Sequence, residues 1–217
     1  MALTASVTVT ARKPKKPRVE FQTTMGTFVI TLFNETPLHR DNFLKLVREG
    51  YYDGLLFHRV IRDFMVQTGD PDSRQAPAGK RLGEGGPGYT LPAEICPYLY
   101  HWRGAVAAAR EGDDTNPERR SSGSQFYVVW GKTQKPDDLA AVNEVIKANT
   151  GGTTEITPER YQVYTTRGGT PHLDGQYTVF GEVTSGLKVI RKIQQTDTDR
   201  NDRPLADVRI IRARELK

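Results

Sequence analysis

Between residues 57 and 70 the chain sets His58, the permanent cation Arg59 and the amide of Gln67 among Phe57, Val60, Ile61, Phe64, Met65 and Val66. An arginine keeps its proton at any working pH, so its chemistry is donation of hydrogen bonds to a charge that develops elsewhere. Placed beside large apolar groups, it suits holding a neutral apolar ligand and stabilising a transient partial charge on it. An arginine in a surface ion pair is the plain alternative. If 57–61 is extended, the two-residue period puts Phe57, Arg59 and Ile61 on one face and His58 and Val60 on the other.

Other chemistries lack their parts. His39, His58, His101 and His172 have no metal-ligand spacing such as His-Glu-x-x-His. The serine-rich loop around Ser122 and Ser124 lacks the Gly-x-Ser-x-Gly elbow of a serine hydrolase. Asp113-Asp114 and Asp137-Asp138 fall in loop or helix-start contexts, where solvated charge or capping explains them. The run Gly83-Glu84-Gly85-Gly86-Pro87-Gly88 invites comparison with a phosphate loop, but no Gly-Lys-Ser/Thr ending follows and it reads as a surface loop. Cys96 is the single cysteine, which excludes an intrachain disulfide. No metal site is expected.

The elements that must position these residues follow from periodicity and turn residues. Runs 19–23 and 27–33 read as strands joined at Met25-Gly26, and 57–61 and 64–68 as two more around the bend Arg62-Asp63. Thr36-Pro37 opens a helix with the stripe Phe43, Leu46 and Val47, which Gly50 ends. Residues 104–110 are short and start at Gly, so they read as a strand despite their alanines. Strands are also expected over 125–130, 176–183 and 208–213, with a helix over 187–193. Residues 131–169 break this rhythm with two helices, one carrying Leu139, Val142 and Ile146 after Pro136, the other opening at Thr157-Pro158. The fold class expected is mainly β: a closed eight-stranded antiparallel barrel capped by two helices, with a helical insertion at about 131–169.

The chain has 217 residues, 26% of them charged, with eight Phe, nine Tyr and two Trp, which suits one globular domain over 18–217 behind a basic, proline-containing tail over 1–17. The formal net charge of +5 is scattered rather than gathered into a stripe, so nucleic acid is not an expected partner. No run of about 18 apolar residues is present, so no transmembrane segment is expected. As written the chain reads as cytoplasmic; removal of a leader would place it in a periplasm or cell envelope.

Three ordered blocks carry a resemblance: Phe57-His58-Arg59-Val60-Ile61 with Phe64-Met65-Val66-Gln67 and Gly69-Asp70, then Ser122-Gly123-Ser124-Gln125-Phe126, then Leu173-Asp174-Gly175-Gln176-Tyr177-Thr178-Val179-Phe180-Gly181. Together they closely resemble the signature blocks of cyclophilins, over roughly residues 18 to 216. The resemblance implies an eight-stranded barrel with two helices and a peptidyl-prolyl cis-trans isomerase that needs no cofactor. It implies Arg59 as the catalytic arginine, Phe64, Met65, Tyr127 and Leu173 as the proline pocket, and His58, Gln67, Ala109, Arg110 and Gln125 as groove residues that hold the peptide. His172 and Tyr177 stand where members carry a tryptophan and a histidine, and Tyr127 where many have Phe. These departures bear on cyclosporin affinity rather than catalysis. The insertion, with Pro171-His172 leading into Leu173, is similar to that of a bacterial subgroup, often exported.

The partners implied are proline-containing peptides and unfolded or folding proteins, met by a monomer. The alternative is a non-catalytic proline-peptide binding or chaperone module using the same groove. A chaperone would need Val142, Val145, Ile146 and Tyr161 exposed.

Overall fold

Alternation along Phe126–Val129 sends Phe126 and Val128 into one apolar cluster and Tyr127 and Val129 into another, on the opposite face of the same strand. That division runs through the whole molecule. The computed structural model describes residues 15–217. The tail expected over 1–17 lies outside the described residues as far as residue 14. Pro17 is already tied in, its carbonyl accepting from Leu32 N at 2.9 Å.

In chain order the strands are β1 Arg18–Thr23, β2 Gly26–Leu32, β3 Arg59–Ile61, β4 Met65–Thr68, β5 Thr90–Leu91, β6 Ala105–Ala108, β7 Ser121–Ser122, β8 Phe126–Val129, β9 Val179–Ser185 and β10 Ile210–Leu216. The helices are α1 Pro37–Arg48, α2 Pro136–Asn149, α3 Pro158–Thr166 and α4 Leu187–Gln194. Eight strands form one antiparallel sheet in the order β10-β1-β2-β9-β6-β8-β4-β3, and β5 pairs with β7 apart from it. The expected strand over 104–110 is β6; its alanines favour a helix in isolation, but all four residues are buried between two apolar layers.

The barrel is not closed as expected. β3 and β10 are the two edges of an open, curled sheet. The reason lies in β3, which is three residues long and whose Val60 N donates to the loop carbonyl of Asp202 at 2.8 Å. Across the opening the segment before β3 meets the start of β10 and the residues ahead of it, through a bridge of Leu56 with Arg209 and backbone bonds from Phe57 N to Val208 O of 2.9 Å, Ile210 N to Leu55 O of 2.8 Å and Gly54 N to Ile210 O of 2.8 Å. The expected side-chain parity fails for the same reason. Strand geometry starts at Arg59, so Phe57 is buried in the core with Val60 while Arg59 faces out.

The main core gathers Phe21, Phe28 and Ile30 from the first hairpin, Phe43 and Leu46 from α1, and Ile190 and Ile193 from α4. Phe21 and Phe28 stack with centroids 5.2 Å apart, and Phe43 meets Phe126 edge-on at 5.2 Å. On the other face Met65, Ala105, Ala107, Tyr127 and Val129 form a second layer under Phe64, Leu173 and Tyr177. In the insertion, Leu139 and Ile146 of α2 and Tyr164 of α3 are buried, so the apolar stripe packs inward. Val145 and Tyr161 remain exposed. Among the described residues no helix is long and apolar enough to cross a membrane.

Candidate active site

Strand register assembles the site. Arg59 lies opposite Gln67, Gln67 opposite Tyr127, and Tyr127 opposite Ala107, so one row crosses four strands on the second face. Neighbouring strands are about 4.8 Å apart, which spaces the row at the scale of a side chain. A groove of about 140 Å³ opens over it, lined by Arg59, Phe64, Met65, Gln67, Ala109, Arg110, Tyr127, Leu173 and Tyr177. Met65, Ala109 and Tyr127 are buried and form its floor; Phe64, Leu173 and Tyr177 are half-buried and form its walls.

Arg59 stands at the rim. Its side chain keeps 45% of its exposure, and Nε lies 3.4 Å from Asp202 Oδ2. Such an exposed pair is worth about 0–1 kcal/mol, so the guanidinium is free to turn into the groove at little cost. Gln67 Nε2 donates to Gln125 Oε1 at 2.9 Å, and Gln125 Nε2 donates to the carbonyls of Gly83 at 2.8 Å and Gly85 at 2.7 Å. The two amides are thereby fixed to each other and to the glycine-rich loop. A larger groove of about 620 Å³ continues from them between that loop and residues 109–120.

Arg110 is not a waiting cation. Nε donates to Gln176 O at 2.9 Å, one terminal nitrogen lies 2.6 Å from Asp113, and the guanidinium sits 4.5 Å from the Tyr177 ring centre. It stiffens the wall that Tyr177 presents. His172 is exposed at the rim, with its ring stacked on Phe64 at 5.5 Å.

Three of the expected site residues do not line the smaller groove: Gln125 lines the larger one, His172 stands against Phe64, and His58 lines neither. The His58 side chain is buried at 3% exposure. Burial lowers its pKa from 6.5 to about 4, with Asp70 opposing the shift and Arg59 adding to it. A histidine held neutral in the fold loses stability on acidification: its contribution is complete above pH 6.5 and is lost as pH falls toward 4. Urea unfolding is expected to show a loss of roughly 3 kcal/mol over that range from this group. His58→Gln should remove its share of the slope; an unchanged slope would contradict the assignment.

Several site residues had no signal in the sequence. Asp202 is 143 positions from Arg59 and marked by no motif. The loop over 83–88, read as an ordinary surface loop, supplies both carbonyls to Gln125 and is pinned by Asp70, whose carboxylate accepts from Gly83 N at 2.5 Å. His101 lies directly beneath Tyr127, tied on its far side to the motif residue Asp174. Among the described residues no group of His, Cys, Asp and Glu is placed to hold a metal ion.

The family described as cyclophilin type peptidyl-prolyl cis-trans isomerase/CLD matches residues 18–215. Peptidyl-prolyl cis-trans isomerase-like 1 of Neurospora crassa is 34% identical over 201 residues, 92% of this chain and 94% of that protein. Peptidyl-prolyl cis-trans isomerase CYP18-2 of Arabidopsis thaliana is 32% identical over 202 residues, 92% of this chain and 94% of that protein. These fungal and plant relatives do not confirm the expected bacterial subgroup. A Cryptosporidium parvum cyclophilin-type isomerase has the same fold, with a TM-score of 0.65 at 22% identity over 93% of this chain and 98% of its own. The same protein was also solved in the presence of the dipeptide Ala-Pro, with a TM-score of 0.62 over 90% of this chain and 96% of that one. Matched along nearly its whole described length, the chain belongs to the cyclophilin-type peptidyl-prolyl cis-trans isomerase family.

Proposed function

We propose that the chain accelerates rotation about X-Pro bonds in peptides and folding proteins, with Arg59 as the catalytic residue. The observation that carries this reading is the register row, which sets one cationic donor at the mouth of an apolar groove of about 140 Å³. Rotation must break amide resonance against a barrier of about 18–20 kcal/mol. As the bond twists, the prolyl nitrogen regains a lone pair that the planar amide lacks. A guanidinium N–H that donates to it binds the twisted state better than the planar one, which lowers the barrier without a covalent step.

The remaining residues divide the work. Phe64, Met65, Tyr127 and Leu173 hold the pyrrolidine ring, while Gln67, Gln125 and the wall built by Arg110 and Tyr177 hold the flanking peptide. One side of the bond is then fixed and the other turns. The sequence reading set Arg59 beside large apolar groups, and in the free protein it is exposed. The substrate's ring, seated over Phe64 and Met65, excludes water from the donor and strengthens the bond at the moment of rotation.

An isomerase assay on a small panel of X-Pro peptides tests this function and reads its preference for the residue before proline. No proton is transferred in this mechanism. His58 is already neutral above about pH 4, and partial burial lowers the His172 pKa too. Activity is therefore expected to be flat within about two-fold from pH 6 to 8. A steep loss following a single titration in that range would contradict the scheme.

A further inference from the structure

Under the groove floor runs a buried polar chain that reaches into the helical insertion. The Tyr127 hydroxyl lies 3.0 Å from His101 Nε2, and His101 Nδ1 lies 3.0 Å from Asp174 Oδ1. A carboxylate only accepts, so Nδ1 carries the proton, and in the neutral ring Nε2 accepts from Tyr127. The backbone N–H of His101 donates to the same carboxylate oxygen at 2.9 Å.

Asp174 is held in turn from α3. The Tyr164 hydroxyl lies 2.9 and 2.8 Å from its two oxygens, and Arg160 is 3.6 Å away. Asp174, His101 and Tyr164 are 0% exposed, and Arg160 is buried as well. Arg160 also donates to the carbonyls of Glu155 and Pro97. Charges taken out of water persist only when paired and hydrogen-bonded, and each member of this chain has its partner.

The chain meets the proline pocket at two of its members. One is its end Tyr127, whose ring is the floor. The other is Asp174 in its middle, which directly follows Leu173, a wall. A separate brace sits one residue on. Gly175 has φ +72°, and a Cβ there would stand 2.3 Å from Thr154 Oγ1 in the connection between α2 and α3.

We propose that the insertion is a positioning clamp for the proline pocket. Tyr164 and Arg160 fix Asp174, Asp174 fixes His101, and His101 fixes the hydroxyl of Tyr127. Floor and wall thus keep their spacing before a substrate arrives, which removes an ordering cost from binding. Tyr164 and Arg160 are positioning residues, since neither lines the groove. The clamp rests on the assignment of this groove to proline peptides.

Tyr164→Phe tests it by removing one hydroxyl while keeping the ring. The expected result is a rise of about three- to ten-fold in both KM and the directly titrated Kd for an Ala-Pro peptide, with kcat within about two-fold. In a Tyr127→Phe background the same substitution should raise Kd by a clearly smaller factor, because the link to the floor is already cut and only the Leu173 wall remains to be loosened. A merely structural role would lower the melting temperature and leave KM and Kd unchanged, which overturns the proposal. Equal rises in both backgrounds overturn it too. Should Tyr164→Phe fold poorly, Arg160→Lys keeps the charge, loses the fork and is read against the same two outcomes. Absence of turnover in the wild type would count against the isomerase reading alone, since Kd still reports on the clamp.

Discussion

Arg59→Ala is expected to lose about 10²-fold or more in kcat/KM on a proline peptide, the usual cost of removing one preorganised donor from a developing charge. The loss should sit in kcat. The pyrrolidine ring is held by Phe64, Met65, Tyr127 and Leu173 in the proposed mode, so the Kd for peptide should change by no more than about three-fold. Arg59→Lys keeps the charge but not the planar fork, and its shorter, strongly hydrated ammonium cannot reproduce the guanidinium geometry. It is expected to keep at most about a tenth of wild-type activity. Neither variant should unfold the protein. Arg59 is exposed on an edge strand and its pair with Asp202 spans 3.4 Å, so the stability at stake is about 0–1 kcal/mol. Unchanged melting together with lost turnover separates a catalytic role from a structural one.

Gly69→Ala has the largest expected effect on the fold. Gly69 adopts φ +99°, and a Cβ there would stand 2.2 Å from Ser124 O and 2.7 Å from Gln125 Cα. Both are backbone atoms, so no side chain can rotate away. The backbone conformation alone costs a non-glycine residue about 1–3 kcal/mol, and the overlap adds to it. We expect a loss of roughly 3 kcal/mol or more by urea unfolding, together with loss of activity. The two effects are coupled through geometry. Gly69 closes β4 against the segment that carries Gln125, the Ser124 hydroxyl donates to Gly69 O at 2.7 Å, and Gln125 in turn holds Gln67. Near-native stability of Gly69→Ala would contradict this close approach.

Local signals made most of the fold legible. Pro37, Pro136 and Pro158 each open a helix at the position that tolerates a missing N–H, and alternation marked β2 and β10. The groove residues came from the resemblance that the three motif blocks carry, including Ala109, Arg110 and Tyr127 outside those blocks, and the register row brings Arg59, Gln67 and Tyr127 onto one face. What escaped the sequence depends on distant partners. Closure of the barrel turned on whether Val60 would pair with a strand or with the loop at Asp202, and nothing in 57–61 specifies that choice. His58 was expected in the groove because the resemblance implied it, although the two-residue period had already set it on the face opposite Arg59, where it is buried. Asp174 was visible only as a motif residue, since its buried partners His101 and Tyr164 are 73 and 10 positions away and share no pattern with it.

The central claim is turnover at the groove, and exchange spectroscopy of an Ala-Pro peptide with the protein far below stoichiometry measures it most directly. Uncatalysed exchange takes tens to hundreds of seconds, so catalysis stands clear of the background. The account predicts a cis–trans exchange rate that rises in proportion to added wild-type protein and falls to near background with Arg59→Ala, while both bind the peptide. A wild-type protein that binds the peptide and leaves its exchange rate unchanged would contradict it.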